Sequence, residues 1–198
     1  MVGRISAVSQ FEFLPSILTK LIFVCSPASC SNRVMIDFRD ESPRDRNAVY
    51  RVVSSAFGQL AEAELVEKLR AGGDSVVSLV ADDDGEVVGH VLLSKMDAPF
   101  PALALAPVSV IPTRQRTGIG SGLVKTAVNR ARNEGWAAIF VLGDPSYYER
   151  FGFDRKAAVG FTSPYAGRHF MVLKLSSSLP ATTGELRHAP AFAALGLG

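Results

Sequence analysis

From Met35 onward the apolar positions alternate between a two-residue and a three-to-four-residue period, which predicts strands and helices in turn. Residues 35–40, M-I-D-F-R-D, read as a first strand. Ser42 then suits an N-cap, Pro43 a first helical position, and Asp45 the third residue after the cap. Val49, Val52, Val53, Ala56 and Phe57 follow at helical spacing, and Gly58 ends that helix. A second helix is predicted over 61–71, with Leu65, Val66 and Leu69 inward and Gly72-Gly73 closing it. VVSLVAD (76–82) and EVVGHVLLSK (86–95) read as strands joined by a tight turn at Asp83-Asp84-Gly85. ALALAPVSVI (102–111) is almost wholly apolar, so its strand is expected to be buried on both faces. The polar loop RQRTGIG (114–120) runs directly into a helix whose stripe is Leu123, Val124, Ala127, Val128 and Ala131, ended by Gly135. AAIFVLG (137–143) is another strand, DPSYYERFGF (144–153) starts a short helix at Pro145, and HFMVLKL (169–175) is the last strand. VGFTSP (159–164) and the tail after 175 read as irregular, with an apolar finish at Phe192. This order predicts one layered α/β domain built on a mixed sheet.

The first 34 residues break the pattern. FEFLPSILTKLIFVC (11–25) is too short, and too interrupted by Pro15 and Lys20, to span a bilayer. A secretory signal would need Arg4, that run and the S-P-A-S that follows, but Glu12, Pro15 and Lys20 oppose it. The expectation is a poorly ordered extension, or a start assigned too early with Met35 as the natural one, ahead of a domain over 35–198. Charge agrees with that division. Arg4, Lys20 and Arg33 against Glu12 account for the whole net charge of +2, which leaves residues 35–198 neutral. A neutral body is no footprint for nucleic acid. Cys25 and Cys30 are the only cysteines, and His90, His169 and His188 are scattered, so no metal is expected. A body without cysteine fits a cytoplasmic protein.

The segment richest in chemistry is the strand at 102–111, its loop and the following helix. A helix N-terminus offers unpaired N–H groups and a partial positive charge to phosphate. Gly118 and Gly120 allow an anion close to the backbone, and Arg114 and Arg116 add positive charge. Two familiar phosphate loops are excluded. Lys125-Thr126 follows Val124 rather than glycine, and Gly118-Ile119-Gly120 is followed by Leu123 where a dinucleotide fingerprint needs a third glycine.

What the loop does match is Q-x-x-G-x-G, at Gln115 to Gly120. APVSVIPTRQRTGIGSGLV resembles the acetyl-CoA-binding segment of the GNAT superfamily of N-acetyltransferases, and VLGDPSYYERFGF resembles a second segment of it in its Y-E-x-x-G-F form. The G-D-P-x-Y-Y-x-R-F-G-F version, with the closing GELRHAPAF (184–192), is most like the bacterial YhbS-like subfamily. The resemblance covers about residues 35–192 and implies a mixed, mostly antiparallel central sheet flanked by helices. It implies acetyl-CoA as co-substrate, an amine acceptor of small-molecule or peptide type, and a homodimer as one open state. Residue by residue, it assigns Val108, Ser109 and Val110 to the strand that pairs with the pantetheine arm. Gln115, Arg116, Thr117, Gly118, Ile119 and Gly120 become the pyrophosphate loop, with Ser121 at the helix start. Val108 and Val110 equally suit plain core packing.

Tyr148 matches the family's tyrosine that protonates the departing thiolate, a transfer between a phenol near ~10 and a thiol near ~8.5. The general base stays open. The strand before the loop has no carboxylate, and Glu62, Glu64 and Asp144 are the candidates, while His90 reads as a half-buried strand residue. The implied function is acetyl transfer to a primary amine by direct attack in a ternary complex, with backbone N–H groups near Val108–Val110 facing the oxyanion. The alternative is a non-catalytic module that binds or senses acyl-CoA.

Overall fold

The structure is a computed structural model and describes residues 35–195. The expectations for residues 1–34, Cys25 and Cys30 among them, lie outside the described residues. Strand β1 (Asp37–Asp40) leads through a single turn of 3-10 helix to α1 (Arg46–Phe57) and α2 (Ala61–Ala71). Then come β2 (Ser75–Asp83), β3 (Glu86–Asp97), β4 (Ala102–Val110), α3 (Ile119–Asn133) and β5 (Ala138–Leu142). The short α4 (Pro145–Tyr148), β6 (Phe161–Thr162), β7 (Phe170–Lys174), β8 (Gly184–Glu185) and β9 (Arg187–His188) follow. The main sheet runs β1-β2-β3-β4-β5-β7, with β9 added along β3. Every pairing in it is antiparallel except β4 with β5.

Alternation along the strands sends side chains into two separate cores. On one face Leu92, Ala104 and Phe140 pack with Val49 and Val53 of α1 and Leu69 of α2. On the other, Val91, Leu93, Leu103 and Ile139 pack under Leu123, Val124 and Ala127 of α3. Burying both faces explains why β3, β4 and β5 read as continuous apolar runs rather than alternating ones.

Most expected elements appear with ends shifted by a residue or two. Met35 is 80% exposed and precedes the strand rather than opening it. Ser42 and Asp45 do pair, the Ser42 N–H donating to Asp45 Oδ2 at 2.8 Å, but they frame the 3-10 turn ahead of α1. The stretch over 159–164 and the tail are not irregular throughout: β6 pairs with β8, and β9 pairs with Met96 and Asp97 of β3. Two-residue strands leave no periodicity to read. His90 is fully buried rather than half-buried, against Ser78 at 2.9 Å.

Candidate active site

The site begins where β4 leaves β5. The two run parallel only from Ala102 to Leu105 against Ala138 to Val141. Beyond Leu105, no strand among the described residues pairs with β4 on that side. A bulge makes the change of course: Leu105 and Val108 of β4 face Leu93 and Val91 of β3, so Ala106 and Pro107 together oppose Leu92. Proline lacks an N–H, so it sits in the bulge without losing a ladder bond. Further along, the Ile111 N–H donates to Val88 O at 3.0 Å. Antiparallel alternation then turns the Ser109 amide toward β3 and the Val108 and Val110 amides into the gap. A linear amide-bearing ligand can pair with such an exposed strand edge.

At the far end of the gap the loop 115–120 is shaped for an anion. Arg116 has φ of 60° and Gly118 φ of 95°, two left-handed residues that curl the backbone into the start of α3. The first N–H groups of α3 have no acceptor within the helix, and Gly122 is the first to find one, Gly118 O at 2.9 Å. Gln115 Nε2 donates to Val110 O at 3.1 Å, and Thr117 Oγ1 donates to Arg114 O at 2.6 Å, so both side chains brace the loop. Ile119 turns its side chain into the α3 core. Arg114 is engaged by Asp83 and does not line the groove. Its place is taken by Arg150, which donates to Ser121 Oγ at 3.0 Å and lies 4.0 Å from the Tyr147 ring centre. Sequence reasoning missed Arg150, whose charge reaches the loop only through the turn after α4. Val108, Ser109, Val110, Gln115, Arg116, Gly118, Gly120 and Ser121 all line one groove of about 590 Å³, with Tyr147, Tyr148 and Arg150. A phosphate-bearing group with an amide arm fits this lining.

One short capped helix carries both tyrosines. The Asp144 carboxylate accepts from the Ser146 N–H at 2.9 Å and from Ser146 Oγ at 2.8 Å, and Pro145 takes the first helical position. Those bonds hold Asp144 below the usual carboxylate range. Asp144 is thus committed to the cap. Tyr147 brings its hydroxyl to Gly120, where a Cβ would sit 3.0 Å from it. The Tyr148 ring packs edge-on against Tyr147 at 4.9 Å and against Phe153 at 5.6 Å. Burial, then Tyr147, pushes the Tyr148 phenol above its ordinary 10.

On the other side of Tyr148 lies a second cavity, of about 330 Å³. Glu62 and Leu65 of α2, Phe57, Phe140, Leu142, Tyr165, His188 and Phe192 line it, and Val108 and Tyr148 are shared with the first groove. Of the remaining base candidates, Glu64 is exposed, 3.9 Å from Lys68, and does not line the cavity. His90 is locked in the core. Among the described residues, no group of three or more His, Cys, Asp or Glu gathers as if to hold a metal, and no helix is long and apolar enough to cross a membrane.

This architecture has relatives. The family model described as "Acetyltransferase (GNAT) family" matches residues 46–153. N-acetyltransferase YjhQ of Escherichia coli is 34% identical over 159 residues, covering 73% of this chain and 87% of that protein. A crystal structure of the E. coli GNAT N-acetyltransferase YhbS in complex with CoA superposes with a TM-score of 0.76 at 30% identity, covering 81% of this chain and 93% of that one. A GNAT acetyltransferase from Brucella melitensis in complex with acetyl-CoA gives 0.70 at 31% identity, covering 80% and 99%. The chain belongs to the acetyltransferase (GNAT) family, and is an acetyl-CoA-dependent acetyltransferase.

Proposed function

We propose that this enzyme acetylates a primary amine by direct attack, with the acyl donor along β4 and the acceptor in the cavity between α2 and the C-terminal segment. The observation that carries the reading is that Val108 and Tyr148 line both spaces. A thioester in the first groove therefore meets an amine in the second at these two residues and nowhere else on β4. The thioester supplies a carbonyl carbon that the amine attacks once its ammonium form has given one proton to solvent, the C–N bond forming as the C–S bond breaks.

The chain's own groups handle the charge and the protons. Amides of Val108 and Val110 face the gap, where an N–H can stabilise the developing oxyanion. The loop from Gln115 to Gly120, with Ser121, Arg116 and Arg150, holds the diphosphate by main-chain donors and charge. The Tyr148 hydroxyl gives its proton to the leaving sulfur and regains one from the new amide nitrogen. Its raised pKa keeps it protonated throughout the neutral range, and a thiolate leaving into the same dry slot is made more basic by the same loss of water.

Thiol release from acetyl-CoA with a panel of amines tests the reading. The Tyr148→Phe variant should lower kcat by roughly 10²-fold or more, as for loss of a general acid, with acetyl-CoA affinity by calorimetry almost unchanged. A large loss of affinity instead would assign Tyr148 to binding. Binding of acetyl-CoA without thiol release from any amine would identify a non-catalytic module.

A further inference from the structure

The acceptor cavity has a one-sided chemistry that acetyl transfer by itself does not require. Among the described residues, Glu62 is the only Asp, Glu, Lys or Arg on its walls. The rest is apolar or aromatic, and two of those walls, Phe57 and Leu142, stay 43% and 46% exposed although both are large hydrophobes. Two lining residues each keep one side-chain atom shut off from solvent with no protein partner: Glu62 Oε2 and His188 Nδ1. The other Glu62 oxygen is taken, accepting from Gln59 Nε2 at 2.9 Å. His188 is wedged between Tyr165 and Phe192, ring centres 4.6 and 5.1 Å away. Burial pushes its imidazole down to about 4, so it is neutral at pH 7 and keeps a nitrogen lone pair.

A buried acceptor without a donor is costly, and the cost is greatest for a carboxylate. An amine is the class of ligand that brings N–H donors to a cavity whose lining offers acceptors. A protonated amine carries three N–H donors and a charge opposite to that of the one carboxylate on the walls. Aromatic walls favour a cation that arrives on an apolar body. The same walls offer no lysine or arginine to a carboxylate, and no second acid to a second ammonium. The volume lies at the low end for small-molecule sites.

We infer that the acceptor is a monocationic primary amine on a compact apolar or aromatic body, its nitrogen bound by Glu62 with His188 as the second acceptor. This rests on the acetyl-transfer reading and names the acceptor class of that site. α-Amino acids and polyamines are excluded by charges the cavity does not match.

The test uses the full chain with saturating acetyl-CoA and follows thiol release with 2-phenylethylamine, L-phenylalanine, spermidine and a lysine-containing peptide. The expected result is a kcat/KM for 2-phenylethylamine roughly tenfold or more above each of the others. Glu62→Gln should raise the KM for 2-phenylethylamine by about tenfold or more, with acetyl-CoA affinity kept, and Glu62→Asp should recover part of the loss. His188→Phe should raise the same KM without lowering acetyl-CoA affinity. Faster turnover of any of the other three acceptors overturns the acceptor class while leaving acetyl transfer intact. An unmoved KM in Glu62→Gln removes Glu62 from the site. Bound acetyl-CoA with no thiol release from all four amines overturns acetyl transfer itself, and the acceptor class with it.

Discussion

Tyr148 owes its position to a residue with no side chain. A Cβ on Gly143 would lie 2.4 Å from the Tyr148 ring, far inside contact distance, and the backbone there is not left-handed, so the requirement is purely one of space. Gly143→Ala must push the phenol away from the junction of the two cavities. Misplacement of a reacting group by about 1 Å costs up to ~10²-fold, so kcat should fall by roughly 10- to 100-fold while acetyl-CoA affinity stays near that of the parent. Steady-state kinetics paired with calorimetry would show it. The neighbouring Tyr147 illustrates the reverse division of labour. Its ring supports Arg150 and its hydroxyl abuts Gly120 at the start of α3.

At the scale of elements, α2 matters most, because it carries Glu62 and Leu65 into the acceptor cavity from its first turns. Its other end is anchored by a buried polar cluster. Glu41, just after β1, accepts from Arg70 of α2 and from Ser78 of β2, and lies 3.5 Å from His90 of β3. Burial alone would raise the Glu41 carboxyl. Hydrogen bonds with His90, Ser78 and Arg70 outweigh it and hold the group at about 2, below its ordinary 4.5. A carboxyl depressed on folding contributes stability that is full above pH 4.5 and lost as pH falls through about 2. Glu41→Gln should therefore destabilise the protein at pH 7 by about 3–5 kcal/mol, the range for breaking a buried pair. The gap from the parent should narrow as pH falls from 4.5 toward 2. Urea unfolding across that series measures both.

For the whole molecule, the decisive feature is that two cavities built by different parts of the chain open on the same phenol. The groove along β4 is local: β4, its loop, α3 and α4 lie within residues 102–150. The acceptor cavity draws on α1, α2, β4, β5 and the segment after 184. The described residues 35–195 belong to one compact unit. A chain starting at Met35 should accordingly bind acetyl-CoA within about twofold of the full chain, with thermal midpoint and calorimetry as the checks.

The local half of this protein was written plainly in its residues. Periodicity located β3, β4, α3 and β5, and Gln115 to Gly120 stood out as the curled loop before α3, because a helix N-terminus, its glycines and its preceding strand are contiguous in the chain. Tyr148 was singled out for the same reason, through a short motif at a fixed distance from that loop, and it lines both cavities. The acceptor side was not. Glu62 and Glu64 sit two residues apart on one helix, and only the packing of α2 turns the first toward the cavity and the second toward Lys68. His188 comes from a two-residue strand whose partner, Met96, lies far back in the chain, and Arg150 reaches Ser121 across 29 positions. Contacts made by closure over long loops leave no period and no spacing, so tertiary structure alone decides which side chains line the second cavity.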